Sequence, residues 1–506
     1  MTANDWRSLA AALIFSALGL QAAEAQTLQD VQCTGKRDIA WDAQVAGCGK
    51  AIDSGRYAGK DLVAAFINRG KAYQGKGDVA HALADFDRAI ELDPGATAAF
   101  NGRGTNYYMT KDYDRAIAEY SKAISLDPNY AFAFNNRGNV LAAKGDFDRA
   151  IADYDQAIRL DPKAGYPFGG RGNAYKAKGE LGRAVADFEQ AVRLDPNDAV
   201  AVNNHGLGYQ TKGDIDRALL EFDRATRLDP GYAVAFANRG LVYQAKGDIA
   251  RAIADYTEAI RLNPTYAAAY ESRGSAYGSK NDQDSAIADY NEAIRLNPNS
   301  GHAFYNRGSA YAAKSEIDRA IADFDQALRL QPKDAGSFNS RGHAWQVKGD
   351  IDRAISDYSE AVRIDPGFVF ALNNRGVAYE AKKDYTRAMA DYDEAIRIDP
   401  EFAAAFNNRG HAWQAKNDPD RAIADYSEAI RRQPTYILAL RNRGNAYAQK
   451  RDYDRAIADY DEAIRIYPNY AVALYARGKI RQLKGDNAGG AADIAAAKRI
   501  DPEIGG

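Results

Sequence analysis

The chain has 506 residues, with 66 basic and 69 acidic side chains and a net charge of −3. No basic stripe remains to follow a phosphate backbone, so a nucleic-acid partner is not expected. The five histidines include no His-x-x-x-His pair, so no metal and no cofactor are expected.

In chain order, the first 25 residues read as a leader. MTANDWR is followed by the apolar run LAAALIFSALGL and then QAAEAQ, the layout of a secretory signal peptide cut after Ala25. The apolar run is short for a membrane span, and an uncleaved anchor is the alternative. No other segment is apolar enough to cross a membrane, so none is expected after cleavage. Export places the protein in the periplasm, with outer-membrane association or secretion left open.

Residues 26–62 form an N-terminal capping segment. Two cysteines fifteen apart in an exported chain, Cys33 and Cys48, predict a disulfide, and two free thiols are the alternative. Trp41 to Ile52 reads as a single helix that closes the N-terminal end of an array beginning at residue 63.

From residue 63 to 504 the chain repeats. The Gly of Phe134-Asn135-Asn136-Arg137-Gly138 recurs every 34 residues from Gly70 to Gly478, giving thirteen units without an insertion. In residues 131–164, Phe134, Arg137, Gly138 and Leu141 share one face of a first helix. Lys144-Gly145-Asp146 stops it, with Gly145 suited to a left-handed end and Asp146 to an N-cap. Ala150, Ile151, Tyr154, Ala157 and Ile158 mark a second helix, which Asp161-Pro162 ends. Thirteen of the fifteen prolines occupy this last slot. The fold class is all-α, a solenoid of helix–turn–helix repeats in which each unit buries surface against its neighbours. The last unit departs from the pattern, with Arg481 for Tyr, Ile494 for an aromatic and Gly489-Gly490, as a C-terminal cap would.

An Arg precedes the recurring Gly in twelve units, with His205 the exception, and an acid recurs sixteen residues after it. In the second helix that acid lies between two small residues that let the first helix approach. A buried Arg without a partner is costly, so an Arg–carboxylate pair is expected in each unit; the alternative is an Arg that reaches solvent.

Phe134, Gly138, Leu141 (Tyr175 and Tyr209 in other units), Ala150, Tyr154, Ala157 and Pro162 at these offsets resemble the tetratricopeptide repeat (TPR). The resemblance implies a right-handed superhelix whose first helices line a concave groove for a peptide or partner protein. Two departures stand out: the family usually has Leu at the Arg slot, and Phe mostly replaces the first Trp. From the first departure, Arg→Leu is expected to be tolerated. The family's carboxylate-clamp slots hold Ala64, Ala98, Asn135, Asn203 and Ala237, so a clamp for a C-terminal tail is not expected.

Asn recurs just before the Arg, at Asn68, Asn136, Asn204, Asn238, Asn306, Asn374, Asn408 and Asn442. Helix propensity does not explain it. An amide offers donors and an acceptor to an extended peptide backbone, so these residues are the candidate peptide-binding set. The row resembles the asparagine row of repeat-bearing sugar transferases. The alternative is that each Asn bonds to groups between adjacent first helices.

The sequence has no nucleophile elbow, phosphate loop or Cys–His pair, and only residues 26–62 lie outside leader and repeats. No enzyme is expected. The reading is an exported scaffold or adaptor for protein–protein or protein–peptide interaction in the cell envelope; the alternative is an accessory or receptor component of the outer membrane or of secretion.

Overall fold

The computed structural model describes Cys33 and residues 39–505. The expected leader, residues 1–25, and part of the capping segment lie outside the described residues. Among the described residues the chain is all-α, with twenty-seven helices and no strand.

Each repeat forms two helices for reasons visible in its own residues. In residues 131–164 these are Ala131–Ala143 and Phe147–Leu160. Gly145 turns the chain at φ 82°. The Asp146 carboxylate accepts the Arg149 backbone N–H and caps the second helix. The Asp161 carboxylate accepts from the Lys163 backbone beyond Pro162, tightening the turn into the next unit. Lys111, Ser315, Lys383 and Arg451 adopt the same left-handed turn conformation without being glycine.

The paired helices touch at the recurring Gly. A Cβ on Gly138 would lie 2.9 Å from the Tyr154 ring and 3.2 Å from the Ala150 carbonyl oxygen. That closeness buries Ala150, Tyr154 and Ala157. Burying one such ring contributes about 2–3 kcal/mol, and the contact recurs along the array, as at Gly240 on Tyr256 and Gly410 on Tyr426. The Tyr hydroxyls are satisfied locally: Tyr154 donates to Asn139 Oδ1 at 2.7 Å and Tyr256 to Gln244 Oε1 at 2.8 Å.

The chain divides into two compact units, Met1–Asp282 and Gln283–Gly506. Each is an α-solenoid in which every helix packs on the next. In the first unit, the helix Trp41–Asp53 covers the helix Lys60–Lys76. Cys33 and Cys48 are joined by a disulfide, with Cα atoms 4.6 Å apart, and pack with Ala51 and Ala65. In the second, Gly490 sits under the Gly478 carbonyl, so the last two helices, Ala471–Leu483 and Asn487–Ile500, meet closely. No helix among the described residues is long and apolar enough to cross a membrane.

Candidate functional site

The first helices carry two rows of polar side chains, one of guanidinium groups and one of amides. The guanidinium row is structural. Arg239 Nε and Nη2 donate to the two oxygens of Asp255, both at 2.8 Å, a bidentate pair within one repeat. Its Nη1 donates to Asp223, 2.9 Å away on the second helix of the preceding repeat, and to Thr226 at 3.0 Å. The same fork recurs at Arg69, Arg137 and Arg171 in the first unit and at Arg307, Arg341, Arg375, Arg409, Arg443 and Arg477 in the second, whereas Arg103 gives Nη2 alone to both oxygens of Glu119. Arg171, Arg341 and Arg409 also reach back to Asp155, Asp325 and Asp393. Hydrogen bonds donated to these carboxylates hold the guanidinium groups above their ordinary pKa, against burial. The Arg therefore ties its own repeat internally and, at Arg171, Arg239, Arg341 and Arg409, also to the one before it, a link not expected from the sequence.

His205 is the exception within the first compact unit. Its Nδ1 lies 3.5 Å from Glu221, an ion-pair distance too loose for a hydrogen bond. Both ring nitrogens and Glu221 Oε2 are buried without a hydrogen-bond partner, although Arg224 Nη1 stands 3.7 Å from Oε2.

The amide row follows a 35-residue register. Asn136 Nδ2 donates to Asn101 Oδ1 at 3.0 Å and Asn238 to Asn203 at 2.8 Å. Asn374, Asn408 and Asn442 donate likewise to Asn339, Asn373 and Asn407, at 2.9–3.0 Å. Asn68 closes the row at the cap by donating to the Cys33 carbonyl at 3.2 Å. The acceptor is always the residue two before the Arg (His205 for Asn203) of the preceding repeat, or its equivalent at the cap. Asn68, Asn136, Asn238 and Asn442 are buried, so their amides bridge neighbouring first helices and are not presented to a ligand. This corrects the expected role of those four. Asn204, Asn306, Asn374 and Asn408 are half-exposed. The acceptor residues are missed by sequence reasoning, although the Asn-Asn doublets at 203–204, 373–374 and 407–408 signal three of them.

The first compact unit holds a cleft of about 640 Å³ beside the helix Tyr166–Ala177. Tyr108, Phe147 and Tyr166 line it, with Asn135, Asn204 and Lys176 among its polar groups. Among the described residues no cluster of three or more His, Cys, Asp or Glu could hold a metal ion. His411 Nδ1 lies 2.7 Å from Glu380, which also accepts the Tyr392 hydroxyl; the Glu380 hydrogen bond raises the His411 pKa.

Repeated helix pairs locked by forks and amides define a helical-repeat scaffold for protein–protein interaction. The chain belongs to the tetratricopeptide repeat family. The family's models match as "TPR repeat" at 104–145, 172–213 and 274–315, and as "Tetratricopeptide repeat" at 63–96, 131–164, 233–266, 302–334, 369–402 and 407–471. A chain in the crystal structure of the APC/C hetero-tetramer Cut9-Hcn1 is similar in fold, with TM-score 0.51 and 16% identity over 97% of this chain and 96% of that one. Yeast Tom70 gives 0.40 and 17% over 87% and 97%. YrrB, described as a TPR protein with an unusual peptide-binding site, gives 0.32 and 25% over 38% and 97%. No curated protein sequence matches the chain.

Proposed function

We propose that the protein is an exported, non-catalytic scaffold of the cell envelope that holds a protein or peptide along the groove lined by its first helices. The observation that carries this reading is the half-exposed part of the amide row. Asn204, Asn306, Asn374 and Asn408 stand on the first-helix face with surface to offer, and Asn374 and Asn408 are already oriented by their bonds to Asn339 and Asn373. Oriented amides pair with a peptide backbone without selecting its side chains. The leader sequence and the Cys33–Cys48 disulfide support an oxidising compartment, the periplasm first.

The test places a photo-crosslinking residue at Asn204 or Asn408, and separately at the exposed second-helix positions Arg183 and Arg387, in cells that make the protein. Discrete protein adducts from the first-helix positions alone are expected. Adducts only from the second-helix positions would move the interaction surface. Recovery of the chain from the cytoplasm with residues 1–25 intact would remove the envelope.

A further inference from the structure

At two places along the amide row the donor and its amide acceptor are missing together. Where Gly102 stands in the donor slot, the acceptor slot holds Ile67; where Ser272 stands, the acceptor slot holds Ala237. The fourth repeat differs. Gly169 and Gly170 replace both of its amides, while the partners on either side remain as Asn135 and Asn204.

Both partners are left open. Asn135 is 2% exposed, its Nδ2 donates to Asn136, and its Oδ1 has no partner. In register, that oxygen would accept from residue 170, which has no side chain. A Cβ on Gly169 would meet only Asn204 Nδ2, at 3.9 Å, and among the described residues that nitrogen has no protein acceptor. The 640 Å³ cleft lies at this gap, with Asn135, Gly169, Gly170 and Asn204 in its wall. The row therefore ends on one side in an acceptor that lacks a donor and on the other in a donor that lacks an acceptor.

The remaining wall fixes the chemistry. Tyr108, Phe147 and Tyr166 offer ring surface for an apolar or aromatic side chain, and the buried Tyr166 hydroxyl is also without a partner. Lys111 and Lys176 stand at the cleft without an ion pair, and Asp198, its one carboxylate, accepts from the Val200 backbone as a helix cap. The other titratable groups facing it are the tyrosines 108, 113, 154 and 166. Burial lowers the Lys176 pKa, and an anion beside it would reverse that penalty.

We propose that this cleft binds an extended peptide segment: a backbone N–H donates to Asn135 Oδ1, a backbone carbonyl accepts from Asn204 Nδ2, an aromatic side chain fills the ring-lined wall, and an acidic side chain pairs with Lys176. The proposal rests on the scaffold reading and gives it a specific site. A peptide supplies a donor and an acceptor on one strand, as the two missing amides would have done.

The experiment titrates acetyl-Ala-Phe-Glu-Ala-amide into the full chain by ligand-observed NMR, with Gly169→Asn, Lys176→Gln and Arg387→Gln as variants. Gly169→Asn adds the missing acceptor for Asn204 in open space, and circular dichroism checks that helicity is unchanged. The expected result is saturable binding that weakens about tenfold in Gly169→Asn and about fivefold in Lys176→Gln or when Gln replaces the peptide's Glu, with Arg387→Gln, on an exposed second-helix surface, unaffected. No saturable binding would overturn the proposal and leave the gap as a place for water. Binding unchanged in both Gly169→Asn and Lys176→Gln would also overturn it, while leaving the broader first-helix reading intact.

Discussion

Arg239 gives the sharpest stability test. The family's use of Leu at this slot suggests that Arg239→Leu is tolerated; the structure reverses that expectation. Asp255 has an 8% exposed side chain and receives two charged hydrogen bonds from Arg239, whose side chain is 17% exposed. Arg239→Leu removes both donors and strands a buried carboxylate, at a cost of about 3–5 kcal/mol. Asp255→Ala is milder, about 2–3 kcal/mol, because Arg239 keeps Asp223 and Thr226 as partners and part of its surface in water. Replacing both residues by Leu recovers most of the loss, since a matched apolar pair leaves no buried charge. A repeat array need not unfold in one step, so the assay is local: hydrogen exchange of peptides spanning 233–262, compared with 437–466 as an internal reference. The expected order of protection is wild type, then the double variant, then Asp255→Ala, then Arg239→Leu. If Arg239→Leu exchanges like wild type, the fork does not hold the repeats together.

Other single sites carry their own expected outcomes. His205→Arg gives Glu221 the bidentate partner its equivalents have and should stabilise residues 199–228 by about 1–2 kcal/mol, read by the same exchange experiment; a loss of protection would mean the histidine is packed for shape. Cys33 and Cys48 should resist thiol labelling until a reductant is added, and the Cys33→Ser, Cys48→Ser double variant should lose about 3 kcal/mol at the cap from a closed loop of some 15 residues. His411, raised by its hydrogen bond to Glu380, contributes stability that is fully present below its unfolded pKa and lost as pH rises through the folded one. Glu380→Gln should therefore cost more at pH 5.5 than at pH 8, by a small margin because the ring is 60% exposed, and NMR titration should show the His411 pKa falling in that variant.

The helices are legible in the sequence because each boundary has a local cause: Asp146 as cap, Gly145 as turn, Pro162 as stop. The Arg–acid pairing is legible because both members recur in phase and a buried Arg demands a partner. The second arm of the fork is not, since Asp223 reaches Arg239 only once repeats are stacked. The amide row is hidden for the same reason. A period of 34 defines the repeat, but neighbouring first helices meet at an offset of 35, so Asn238 belongs with Asn203 and not with Asn204. Read at 34, eight asparagines look like a ligand-facing row; read at 35, half of them are buried glue. At the same offset Gly169-Gly170 leaves a gap in the row with two unpaired ends.

That gap is the centre of the account, and one measurement separates a missing amide from mere glycine softness. Hydrogen exchange across Tyr166–Ala177 is compared in wild type, Gly169→Ala and Gly169→Asn. Ala is the better helix former by about 0.6 kcal/mol, whereas Asn supplies an acceptor for Asn204 worth about 1 kcal/mol. The account predicts that the wild-type segment is less protected than the equivalent helix Ala233–Ala245 and that Asn restores more protection than Ala. More protection from Ala than from Asn would contradict it.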